Sequence, residues 1–272
     1  MTGADGRLGG HRVKIASFNI NGIKARIETL ISWLDAARPD VVLLQEIKSV
    51  DAAFPRQPFE DRGYSVETHG QKSFNGVAIL SKWPLEDVTR GLPGDEDDEQ
   101  ARWIEATVIG EARAARLCGL YLPNGNPAPG PKFDYKLAWM ARMKARAEAL
   151  LKTEEPVLMA GDYNIIPQNE DARDPARWAG DALALPEARA AFRRILHLGF
   201  TDAFRAITQG PGHYTFWDYQ GGAWRRDDGI RIDHILLSPQ AADLLIDCRI
   251  ERELRGQEKP SDHVPIEVEL DL

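Results

Sequence analysis

The sequence predicts an α/β fold of two mixed β-sheets packed face to face, with helices on the outside. Three features lead there. Strand and helix signals interleave from about residue 12 to the C-terminus without a linker-like break. Several strands follow one another with no helix between them, which a simple doubly wound parallel sheet does not do. The 272 residues suffice for one large core. A single domain over residues 12–272 is expected, with residues 1–11 a polar, Gly-rich and flexible N-terminus.

Residues 13–18 read as a strand. Ile27, Leu30, Ile31 and Leu34 recur at helical spacing, and Arg38-Pro39 ends that helix. Residues 40–44 are a short apolar run of the buried-strand kind, and 76–81, 103–109 and 116–122 are three further strands in succession. A long helix covers about 135–152, with Leu137, Met140, Lys144, Ala147 and Leu151 on one side. Residues 157–160 form a short buried strand ending at Gly161, expected to allow a tight turn. Residues 186–198 are helical up to Gly199, and 214–219, 232–238 and 264–270 complete the strands.

The composition is that of an ordinary soluble protein, 43% hydrophobic and 28% charged. No window approaches the length of a membrane-crossing helix, so no membrane partner is expected. Cys118 and Cys248 lie far apart in strand-like runs and read as buried thiols in a reducing compartment, which points to the cytoplasm. The net charge of −8 argues at first against a nucleic-acid partner. The acidity is uneven, however. Asp95-Glu96-Asp97-Asp98-Glu99 reads as a solvated loop, while the basic clusters Lys24/Arg26, Arg142/Lys144/Arg146 and Arg225/Arg226 are free to line another face.

The chemistry-bearing residues follow predicted strands, where loops meet over the edge of a sheet core. Alternation puts Asn19 and Asn21 on one side of an extended segment, although two turn asparagines before Gly22 read equally well. Glu46 comes directly after an apolar strand and is a natural ligand for a hard cation such as Mg²⁺. Tyr121 comes just before a Pro-Asn-Gly turn and Asn124 lies within it, and both can donate hydrogen bonds to a phosphate; a core tyrosine beside a tight turn reads as well. Asp162 and Asn164 share a face and can hold and deprotonate a water beside a phosphate, or form an Asx-turn. Asp233 stands in a buried-looking strand and needs a partner; His263, in Ser261-Asp262-His263, fits that need and would be held protonated. His234 should face the opposite way.

In this order, Phe18-Asn-Ile-Asn-Gly, Leu44-Gln-Glu, Tyr121-Leu-Pro-Asn-Gly, Gly161-Asp-Tyr-Asn and Ser261-Asp-His resemble the exonuclease III family of apurinic/apyrimidinic endonucleases, within the endonuclease/exonuclease/phosphatase superfamily. The likeness runs from about residue 12 to 270. Thr215-Phe-Trp-Asp-Tyr followed by Gly229-Ile-Arg-Ile-Asp is the part most similar to the DNA-repair branch. The resemblance implies a four-layered α/β sandwich acting, as a monomer, on double-stranded DNA. The implied activities are Mg²⁺-dependent hydrolysis 5′ to an abasic site and removal of nucleotides or blocking groups from 3′ ends, with Mn²⁺ able to substitute. It makes Glu46 the principal metal ligand, with Asn19, Asp262, Asp162 and Asn164 around the metal. Tyr121, Asp162, Asn164, Asp233 and His263 are then catalytic. Asn124, Lys24 and Arg26 would contact DNA. Phe216, Trp217 and Ile230 would form an apolar pocket for the flipped-out sugar, although one of the two adjacent aromatics should face the core. The competing readings are a superfamily phosphoesterase with a non-DNA substrate, a nonspecific deoxyribonuclease, and a noncatalytic DNA-binding module.

Overall fold

The computed structural model describes residues 12–110 and 113–272; the expectation for residues 1–11 lies outside them. Twelve strands among the described residues form two six-stranded sheets. The first has the order β11 (Leu245–Ile250), β12 (Ile266–Asp271), β1 (Arg12–Asn19), β2 (Val41–Gln45), β4 (Val77–Ser81) and β3 (Ser65–His69). The second has β5 (Leu85–Arg90), β6 (Trp103–Ile109), β7 (Ala114–Tyr121), β8 (Val157–Asp162), β10 (Asp233–Leu237) and β9 (Thr201–Asp202).

Each sheet has one parallel pair near its centre, β1 with β2 and β7 with β8; all other pairs are antiparallel. A parallel pair needs a crossover, and helices Ile23–Ala37 and Pro131–Leu151 supply the two. Inward-facing residues of both sheets, among them Ile15, Leu43, Ile79, Leu117, Leu158, Ile235 and Val268, form the central core. The outer face of the first sheet packs Phe18, Val42 and Leu44 against Leu30, Trp33 and Leu34 of its helix. The second sheet packs Cys118, Leu120 and Met159 against Trp139, Met143 and Phe192 of helices Pro131–Leu151 and Pro186–Leu196. The result is helix, sheet, sheet, helix, the expected layering.

Several expectations change. Gly161 is not a turn residue. β8 runs through it to Asp162, and a Cβ there would lie 1.9 Å from the Leu120 carbonyl oxygen of β7, so the glycine permits close strand approach. Residues 214–219 are not a strand. Phe216 alone bridges Ile230 on one side and His263 on the other. The helix Pro131–Leu151 buries Phe133, Lys136, Trp139, Met140, Met143, Ala147 and Leu150, a face offset from the one read through Leu137, Lys144 and Leu151.

Candidate active site

β1 and β8 end side by side although they belong to different sheets. Asn19 closes β1, and its Nδ2 donates to Asp162 Oδ2 at 3.0 Å and to Glu46 Oε1 at 3.0 Å. Its Oδ1 accepts the Asn21 backbone N–H. Glu46 follows β2 in a left-handed conformation, φ 50°, and its carbonyl is held by the Gly22 N–H at 2.7 Å. Asn21, Lys48 and Asn164 share that backbone region, with φ of 47°, 51° and 47°. Four such non-glycine residues around one edge are local strain that the surrounding packing must hold.

Asp233 opens β10 directly opposite Asp162 in the antiparallel register. Buried Thr215 fixes it there, its Oγ1 accepting the N–H groups of Ile232 and Asp233 at 3.1 Å each. The His263 segment is sewn to β1 by Ser261 Oγ, which donates to Asn19 O at 2.7 Å and accepts from the His263 N–H. His263 Nδ1 then lies 2.9 Å from Asp233 Oδ2, and Nε2 lies 3.7 Å from Asp162 Oδ2. His234 points away, between Arg231 and the Ile165 carbonyl, as expected.

The charges are tuned by this packing. Burial alone would lower the His263 pKa, but the carboxylates of Asp233 and Asp162 overcome it and hold the ring protonated up to about 10. Burial, opposed by His263 and reinforced by Asp233 and Glu46, pushes the Asp162 carboxyl up to about 7. Burial pulls Glu46 the same way, but hydrogen bonds from Lys48 and Asn19 win and keep its pKa low. Burial and the charges of Glu46 and Asp162 push the Tyr121 phenol up, which makes it a donor rather than a base.

Glu46, Asp162 and His263 offer ligand atoms all within 4.8 Å of one another. A hard cation selects oxygens, and a protonated imidazole is no ligand, so Glu46 and Asp162 fit a divalent ion with His263 facing whatever anion joins it. The other expected ligands are otherwise engaged. Asn19 turns its amide nitrogen to the two carboxylates. Asn164 donates from Nδ2 to Leu122 O, and its Oδ1 accepts from Asn124 Nδ2. Asp262 lies outside the cluster, its Oδ1 accepting from Asn21 Nδ2.

Among the expected substrate contacts, Asn124 is exposed beside Asn164, and Lys24 is exposed. Arg26 is a pin rather than a free cation, donating to the carbonyls of Pro260 and Asn21 and to the Tyr219 hydroxyl. Trp217 is fully buried between Tyr214 and Trp224, its Nε1 on Asp227, so it lines no pocket. Half-buried Phe216 does. Its ring packs edge-on against His263, with centroids 5.0 Å apart, and against a small cluster holding Ile230, Ile232 and Trp178. Phe216 and Trp178 also wall a cavity of about 230 Å³ rimmed by Arg177 and Arg226. The Arg142/Lys144/Arg146 cluster is consumed internally, by Asp98 and Asp95, by Glu148 and by buried Glu105.

Two features escaped the sequence reading. Lys48 Nζ lies 2.8 Å from Glu46 Oε2 and also donates to Asn21 Oδ1; an acid and a base two residues apart after a buried strand was the available signal. Phe74, 69% exposed, stands on the β3–β4 loop beside exposed Lys72, and that loop is hydrogen-bonded to the Glu46 loop through Lys48 N–H and Asn75 O.

Comparison with known proteins agrees with this geometry. Residues 16–263 match the Endonuclease/Exonuclease/phosphatase family. The chain is 37% identical to "Exodeoxyribonuclease III" of Haemophilus influenzae over 262 residues, 93% of this chain and 98% of that protein. It is 30% identical to "DNA repair nuclease APEX1" of Danio rerio over 272 residues, 98% of this chain and 84% of the other. Among solved structures, an AP endonuclease from Archaeoglobus fulgidus superposes with a TM-score of 0.90 at 36% identity, covering 96% of this chain and 100% of its own. The 3′-5′ exonuclease NExo from Neisseria meningitidis gives the same TM-score, identity and coverage.

Proposed function

Because the chain belongs to the endonuclease/exonuclease/phosphatase family, in its exonuclease III branch, we propose that it is a DNA repair nuclease. It hydrolyses the phosphodiester 5′ to an abasic site and clears nucleotides or blocking groups from 3′ ends of duplex DNA. The observation that carries this reading is the convergence of Glu46, Asp162 and Asp233-paired His263 beside the apolar wall of Phe216. The cation is proposed to be Mg²⁺, with Mn²⁺ able to substitute. The enzyme is proposed to act as a monomer of one domain, in the cytoplasm. No helix among the described residues is long and apolar enough to cross a membrane.

In this mechanism a water attacks the phosphorus in line, the bond to the 3′ oxygen breaks, and the products are a 3′-hydroxyl and a 5′-phosphate. Asp162, held by the Asn19 amide and the Asn164 N–H, orients the water and takes its proton. His263, kept charged by Asp233, donates from Nε2 to a non-bridging oxygen where negative charge grows. Asn124 and Tyr121 donate to the same phosphate. Asn19 braces Glu46 and Asp162 at a common spacing rather than acting as a ligand. Glu46 and Asp162 would hold the cation, which would supply positive charge to offset that of the phosphate. Phe216, with Ile230 behind it, forms a face that an abasic sugar can approach and a full nucleotide is too large to share.

The test is a side-by-side assay of abasic, 3′-phosphate-ended and intact duplexes with Mg²⁺ or EDTA. Cleavage of the first two only with metal is expected. Hydrolysis of a small phosphoester without attack on any duplex overturns the reading.

A further inference from the structure

Lys136 is a lysine on the buried face of its helix and is fully enclosed. Among the described residues no carboxylate lies within hydrogen-bond distance of it. Its Nζ instead donates to three backbone carbonyls, Asn164 O at 2.6 Å, Asn124 O at 3.0 Å and Ala182 O at 3.2 Å. An ammonium has three N–H groups, one for each carbonyl, whereas a neutral amine has two and would turn a lone pair on the third. The chain is also wrapped on the lysine stem. A Cβ at Gly125, where φ is +90°, would come within 2.7 Å of Lys136 Cδ.

The three carbonyls belong to three segments: the loop after β7, the turn after β8 and the loop before helix Pro186–Leu196, which are also joined by Asn126 to Asp181 and Ala182 and by the Ile166 N–H to Leu183 O. Two of the three are the carbonyls of Asn124 and Asn164. Their side chains are joined, Asn124 Nδ2 to Asn164 Oδ1 at 3.0 Å, and the Asn164 N–H holds Asp162 Oδ1 at 2.8 Å. Asn164 also sits at φ 47°, a conformation that needs external support. An apolar side chain of similar length would fill the space but leave the carbonyls unsatisfied.

We propose that Lys136 is a positioning residue for the phosphate-binding edge: by gripping the carbonyls of Asn124 and Asn164 it sets where the Asn124 amide, and through Asn164 the Asp162 carboxylate, meet the substrate. This rests on the reading of Asn124 as a phosphate contact and of Asp162, which Asn164 holds, as the group that orients the water. Lys136 touches neither substrate nor cation and acts only through these residues.

The test compares Lys136→Met and Lys136→Gln with Asn124→Ala and Asn164→Ala on a 3′-phosphate-ended duplex. It measures kcat, KM, the Mg²⁺ concentration for half-maximal rate, and the melting temperature. Assays are run well below melting and normalised to the folded fraction, and Lys136→Gln carries the comparison if Lys136→Met does not fold. The expected result is a fall in kcat on the order of 10-fold or more with little change in the Mg²⁺ requirement, because Glu46 is untouched. Lys136→Gln, which retains two donors, should recover part of the rate. Adding Asn124→Ala to Lys136→Met should cost much less than the product of the single losses. A lowered melting temperature with the parent kcat per folded molecule overturns the proposal, since the lysine is then a stabilising staple only. Parent-like kcat in both asparagine variants instead overturns the reading beneath it.

Discussion

Asp233 Oδ2 sits 2.9 Å from His263 Nδ1, and this one contact decides which nitrogen of the ring faces the reaction. With Nδ1 taken, Nε2 is left towards Asp162 at 3.7 Å. Both side chains are buried, so neither can be hydrated into another arrangement.

The pair predicts a pH dependence. Against burial, Asp233 and Asp162 raise the folded-state pKa of His263 from 6.5 to about 10. The stability it contributes is therefore fully present below 6.5 and is lost as pH rises through about 10. Asp233→Asn removes the strongest raising partner, so the alkaline limb of kcat should move down towards 6.5. At pH 9 the variant should be slower by on the order of 10²-fold. Profiles of kcat against pH for both proteins check this. Coincident alkaline limbs would show that His263 is not the charged donor.

Glu46→Gln should weaken metal binding at its source. Its pKa is held low by Lys48 and Asn19, so the carboxylate is charged across the working range. The expected result is a rate loss on the order of 10²-fold with the fold retained by circular dichroism. In the parent, Mg²⁺ added to EDTA-treated protein should raise the melting temperature, because a ligand of the folded state stabilises it by mass action. That rise should vanish in Glu46→Gln. A variant that melts higher with Mg²⁺ just as the parent does would move the cation elsewhere.

Gly161→Ala tests the strand geometry without touching a reactive group. The added methyl meets a backbone carbonyl at 1.9 Å, and neither strand can rotate away from it. A loss of about 3 kcal/mol or more is expected from urea denaturation, with β7 and β8 forced apart under Tyr121 and Asp162. A near-neutral variant would mean that the two strands part easily.

Phe216→Ala opens the wall against His263. The ratio of kcat/KM on abasic over intact duplex should fall by about 10-fold, since the selection comes from shape. Trp217→Phe should lower stability, through loss of its bond to Asp227, with the ratio unchanged. Were the ratio to follow Trp217 and ignore Phe216, the pocket assignment would be reversed.

Much of this was legible in the chain. β6 falls on residues 103–109, as expected, and buried β2 and β8 announce themselves as apolar runs. The strands that pattern reading passes over are β3, β5, β9 and β11. Three of these carry exposed polar positions along edges or near them, and β9 has two residues. At the site, Glu46, Asp162 and the Asp233–His263 pair are readable because a charge at the end of an apolar strand demands a chemical reason. Lys136 is not. A lysine gives no sign in the sequence of being buried, and the face read through Leu137, Lys144 and Leu151 passes Lys136 by. Arg26 and the Arg142 cluster misled in the opposite sense, since their ion pairs and carbonyl contacts arise only when distant loops come together.

Ser261 donates to the Asn19 carbonyl across 242 residues, and Asn21 donates to Asp262 across 241. The stitching of β1 to the His263 segment thus joins the earliest and latest parts of the fold. During synthesis, which adds on the order of 10 residues each second, β1 leaves the ribosome long before β12 exists to pair with it. The edge at which Asn19, Asn21, Ser261 and Asp262 meet is therefore the last part of the fold to close, and it closes across the full sequence separation of the two segments.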